Sequence, residues 1–218
     1  MFATILRTQW AWTRLHVAGI ALLAFVAPVF SWRLVADPNP NVSSAFQLIE
    51  GFAPLSVILT GIALLGPFLL AALPWTIDAE TKHVYPLSLP MKWSQFISMR
   101  FAAGALTLLI PAAALYLGSV AVVAMVDLPP LLRAYPGALT LRFLLAMLVT
   151  YGAAFALQYL AGRRAAIVVL LALIAMMVIG LAAWMIGAGD AIDAIGRFLF
   201  TWPGPFAIYA ETWTLIDV

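Results

Sequence analysis

Five runs without a charged residue divide this chain: residues 15–32, 51–77, 101–126, 143–162 and 165–189. At about 1.5 Å per helical residue, each can cross or nearly cross a hydrocarbon core of roughly 30 Å. A charge at the centre of that core costs about 2.5–3.5 kcal/mol on insertion scales, so uncharged length is the signature of a span. Composition agrees: of 218 residues, 65% are hydrophobic and 9% charged, with a mean hydropathy of +1.07. A soluble domain carries roughly a quarter charged residues. Too little polar surface exists here to face water, which excludes a soluble enzyme. The expectation is an all-α, polytopic membrane helix bundle, forming one transmembrane domain over residues 1–218.

The two ends of the chain are less regular. On a helical wheel Phe2, Ile5, Leu6 and Trp12 fall on one side, with Arg7 and Arg14 on the other. That pattern predicts an interfacial helix over residues 1–14, turning into the first span. The apolar run after it is longer than a signal-peptide core and no cleavage site follows, so the span is read as retained. At the other end, residues 198–210 are uncharged but interrupted by Trp202-Pro-Gly-Pro205. The tail over 190–218 therefore reads as an external or re-entrant hairpin, with a distorted sixth span over 191–216 as the alternative. Trp202, Tyr209 and Trp213 suit the headgroup level.

Loop charge sets the orientation. With the N-terminus cytoplasmic, Arg7, Arg14, Lys82, Lys92, Arg100, Arg163 and Arg164 lie inside, and Arg33, Arg133, Arg142 and Arg197 outside. The excess inside follows the positive-inside rule. It also accounts for the net charge of +2 without a nucleic-acid partner.

Several chemistries are absent. No Asp, Glu, Lys or Arg interrupts the five runs, which disfavours an ion-coupled transporter. His16 and His83 have no ligand partners at helical spacing, and cysteine is lacking, so no metal or cofactor site is expected. No Gly-x-x-x-x-Gly-Lys phosphate loop and no intramembrane acid/base pair can be found, so no catalytic residue is assigned and the chain is not read as an enzyme.

The richest stretch is the connection over residues 76–100. Asp78 precedes Lys82 by one helical turn, the favourable order for a helix pair. Pro86 would end that helix, and Pro90 is acceptable in the first turn of the next. The result is a short charged helix, a turn and an amphipathic lead-in at the membrane face.

Asp78 and Glu80, the Leu-Ser-Leu-Pro element from Leu87 to Pro90, and Arg100 ten positions on resemble the first cytoplasmic loop of type-2 ABC exporter permeases. The order of elements matches over most of the chain, and the residues match over about 78–100. The glycine that follows the acidic pair in that family is replaced here around Thr81 to His83. The resemblance implies a permease subunit that moves cargo using ATP hydrolysed by a separate cytoplasmic ATP-binding subunit. It implies pairing with itself or with a similar permease, in a plasma membrane of the bacterial inner-membrane kind. Asp78, Glu80, Lys82 and Pro90 would belong to a coupling helix on the ATPase, and Arg100 would anchor the third span. Reversing charge at Asp78 and Glu80 would then uncouple the ATPase without unfolding the bundle.

Small residues at helical spacing, Ala114/Gly118, Gly152/Ala156 and Ala183/Gly187, would permit close helix packing. The polar candidates for a path are few: Thr60, Thr107, Tyr116, Ser119, Thr150, Tyr151, Gln158 and Tyr159. So apolar a lining suits a hydrophobic or amphipathic cargo. The alternative is a non-catalytic structural or assembly subunit of a larger membrane complex, which short loops and missing catalytic groups fit equally well.

Overall fold

In the computed structural model, residues 1–35, 52–80, 92–126, 132–159, 171, 206–209 and 213–217 are described. Helix α1 covers Phe2–Val35, α2 Ala53–Glu80, α3 Trp93–Thr107 and α4 Leu109–Val123. Helix α5 follows over Pro136–Tyr159. Helices α3 and α4 are the two halves of one membrane-length segment, Trp93–Val123, so the described residues contain four helices long and apolar enough to cross a membrane. These are the first four expected spans, and their presence marks a helical membrane protein. The run over 165–189, its Ala183/Gly187 pair and the Gly162-Arg-Arg164 connection lie outside the described residues.

The surface confirms what solvent the bundle is built for. Leu15, Leu22, Leu23, Val57, Leu65, Leu117 and Leu141 all point outward and are exposed. In water such a surface would be an aggregation liability, whereas in hydrocarbon it is neutral. Association of the helices then depends on close packing, favoured by small residues. Helix α1 is the hub and packs on α2, α3 and α4. A Cβ on Gly118 would overlap the carbonyl of Phe25, so α4 lies directly on the backbone of α1. Gly66 of α2 faces Ile20 of α1, with 3.2 Å separating its ideal Cβ from the Ile20 side chain. The expected Ala114/Gly118 pair thus places its glycine at a helix crossing. Gly152 does not do so: nothing lies within 4 Å of its Cβ position, and Ala156 is exposed.

Two expectations for the ends of the chain are corrected. Residues 2–35 form one helix, without the turn expected after residue 14. No proline or glycine falls between Met1 and Val17, and Ile5, Gln9 and Thr13 are buried against the bundle, so nothing breaks the helix and packing holds it. In the tail, Ala207–Tyr209 is a 3-10 turn, and Ile216–Asp217 pairs antiparallel with Arg133–Ala134. These described pieces are not α-helical, against a sixth span running to residue 216.

Tyr209 and Trp213, expected among headgroups, are buried in the bundle, with Trp202 outside the described residues. The Tyr209 hydroxyl lies 3.0 Å from the carbonyl of Ala63 and 2.9 Å from that of Ala146, with Thr150 Oγ1 at 2.5 Å. Ala63 is about 15 Å along α2 at the helical rise. The chemical reason is Pro67, which has no N–H to give the Ala63 carbonyl one turn back. The phenol meets a backbone acceptor that the helix itself leaves unpaired. Around it, Trp213 N donates to Ser56 Oγ at 3.0 Å, Arg142 Nε donates to the Ile208 carbonyl at 3.2 Å, and the Arg142 guanidinium lies 5.2 Å from the Trp213 ring centre. Arg142, expected in an external loop, is in the second turn of α5.

Candidate functional site

Helices α2 and α3 extend beyond their uncharged runs, to Glu80 and back to Trp93, and so carry Asp78 and Arg100 into the bundle. Arg100 Nη1 donates to Asp78 Oδ2 across the two helices. Asp78 is 0% exposed and Arg100 3%. A buried ion pair is tolerated only where each charge neutralises the other. In a membrane protein the alternative is a lone charge in a low-dielectric medium, which is worse.

The pair is enclosed by aromatic rings. The Arg100 guanidinium lies 4.6 Å from the centre of Trp75 and 5.5 Å from that of Phe96, within the range where a cation is attracted to the ring face. Trp75 contacts Phe155 of α5 edge-on at 5.7 Å, and Phe101 packs on Tyr151 and Phe155 at 5.4 and 5.3 Å. Helix α1 joins through Gln9, whose amide donates to the Arg100 carbonyl at 3.1 Å and accepts from Gly104 N at 3.2 Å in the orientation that pairs both atoms. An added Cβ on Gly104 would overlap the Tyr151 hydroxyl and approach Gln9 to 2.6 Å, so only glycine admits both side chains. All four membrane-length helices therefore meet at this one end of the bundle. A cavity of about 10 Å³ lies against Arg100, between Thr8, Gln9, Trp12 and Pro74. It is far too small for an organic substrate.

Of the residues assigned to partner coupling, Asp78 and Arg100 come together. Asp78 points into the bundle at Arg100, where a surface contact with a partner was expected. Its charge reversal would set two cations side by side in the interior, so the bundle would not survive it unperturbed. Glu80 closes α2, and its side chain lies outside the described residues, as do Lys82 and Pro90. Among the path candidates, Thr107, Ser119, Thr150, Tyr151 and Gln158 are buried, Thr60 is half-buried, and Tyr116 and Tyr159 face outward. Gln9 was missed. The available signal was a glutamine on the otherwise apolar flank of an amphipathic segment, Ile5-Gln9-Trp12.

Among the described residues no group of three or more His, Cys, Asp or Glu side chains could hold a metal ion. No protein-family model, curated protein or solved structure matches the chain.

Proposed function

We propose that this chain is the membrane-spanning permease subunit of an ABC transporter, moving a hydrophobic or amphipathic substrate with ATP hydrolysed by a separate cytoplasmic subunit. The observation that carries the reading is the Asp78–Arg100 pair. It joins the two helices that the charged connection links, so both feet of that connection stand on one buried lock. A partner pulling on the connection would act on the helices rather than on a slack loop. The resemblance over residues 78–100 supports the same reading.

In this proposal the N-terminus is cytoplasmic and the host membrane is a plasma membrane of the bacterial inner-membrane kind. Two copies, or this chain and a similar one, form the path. Glu80, Lys82 and Pro90 are the contact residues for the ATPase. Asp78 and Arg100 act behind them as positioning residues.

A mild-detergent pull-down of tagged protein from its own membranes tests this. The expected result is a stoichiometric ATP-hydrolysing partner that is lost on Glu80→Lys with Lys82→Glu, while Asp78 is left intact. Recovery of a set of membrane subunits without an ATPase would overturn the proposal and make this chain a structural component.

A further inference from the structure

The third membrane-length segment is interrupted at its middle. Leu108 separates α3 from α4, and its backbone N–H donates to Ala105 O at 3.2 Å, a 3-10 bond in place of the α-helical one to Gly104. The Gly104 carbonyl is taken by the Thr107 hydroxyl at 2.7 Å. One turn on, Pro111 has no N–H for the Thr107 carbonyl. Two rungs of the helical ladder are therefore rerouted or missing within four residues of Leu108. A 3-10 turn inside a long helix often marks a hinge or a strained sequence.

The two halves are held differently. Above the break, α4 lies on α1 backbone to backbone at Gly118 and Phe25, with no side chain between them to yield. Below it, α3 packs on α1 through side chains, Phe96 and Ala103 against Ile5, and on α5 through Phe101, and polar side chains tie it down: the Asp78–Arg100 pair to α2 and the Gln9 amide to α1. At the α1–α4 crossing no side chain can re-orient to let the backbones move on one another, whereas α3 is joined to its neighbours through side chains that can change rotamer and exchange partners.

We infer that α3 is a lever that swings about Leu108 while α1 and α4 move as one body, and that Asp78–Arg100 together with Gln9 is the catch that sets its position. This deepens the permease reading and rests on it only for what drives the movement. The sequence contains no cysteine, so pairs of introduced cysteines can be spin-labelled without background. One pair, at Ser94 and Leu117, reads the length of the third segment across the break. A second, at Ala3 and Leu117, reads the α1–α4 body. All three positions are exposed.

Pulsed dipolar distances in lipid nanodiscs are expected to respond as follows. Asp78→Asn shifts the Ser94–Leu117 distance and leaves Ala3–Leu117 unchanged. Pro111→Ala, which restores the backbone donor at the break, suppresses that shift. Pro111→Ala alone, with the ion pair retained, narrows the Ser94–Leu117 distribution. This last variant keeps the test decisive if Asp78→Asn does not fold. The inference is overturned if Pro111→Ala leaves the width unchanged, or if the two distances in folded Asp78→Asn shift together or not at all. No ATPase takes part, so failure here leaves the permease proposal standing, and failure of the pull-down leaves the lever standing.

Discussion

The hydroxyl of Tyr209 meets the Ala63 carbonyl, 146 residues away in sequence, at the acceptor that Pro67 leaves without a helical donor. A tail of the chain is thereby pinned deep between α2 and α5. The phenol has one proton, which the two carbonyls share, and its oxygen accepts the proton of the Thr150 hydroxyl.

Tyr209→Phe removes that proton and strands the Ala63 carbonyl and the Thr150 hydroxyl. A loss of about 1–3 kcal/mol is expected, the cost of leaving a buried polar group unpaired. Pro67→Ala returns an N–H to Ala63, so the penalty of Tyr209→Phe should be smaller in that background. A double-mutant cycle of unfolding in detergent measures the difference, and equal penalties in both backgrounds would contradict the pairing.

Asp78→Asn and Arg100→Gln should each destabilise the bundle by about 3–5 kcal/mol, because each leaves one buried charge uncompensated. The double substitution removes both charges and should cost much less than the sum. Strict additivity would show that the pair is not coupled.

The glycines form a graded series. Gly118→Ala should be the most damaging, since the clash is with the backbone of Phe25 and no side chain can rotate away. Gly104→Ala meets the far ends of Tyr151 and Gln9 and should cost about 1–3 kcal/mol, typical of overpacking. Gly152→Ala meets nothing and should be neutral or slightly stabilising, within about 1 kcal/mol. Thermal unfolding of the three variants checks the order.

The proposed orientation is tested with single cysteines at Lys92 and Arg133, both exposed. In intact cells a membrane-impermeant maleimide should label the cysteine at 133, and the one at 92 only after permeabilisation. The reverse pattern would place the 76–100 connection outside, beyond reach of an ATPase.

Fold class and the first four spans were legible in the sequence because a span is a one-dimensional property. Hydropathy summed along a window decides it, with no reference to what lies opposite. The interruption at Leu108 was half legible: Pro111 announces a missing donor, while the diversion of the Gly104 carbonyl to Thr107 depends on local geometry. The site was legible as a list and not as an arrangement. Asp78 and Arg100 stood out as charges flanking a loop, but their pairing inside the bundle depends on α2 and α3 running on past their uncharged runs. Nothing local to Gln9 or Tyr209 says that one will bridge the backbone of α3 at Gly104 and the other will meet the carbonyl freed by Pro67. Sequence alone determined which segments enter the membrane, because that is a transfer free energy summed residue by residue. Tertiary structure decided which polar groups meet there, because in a medium without water each must find its partner on another helix.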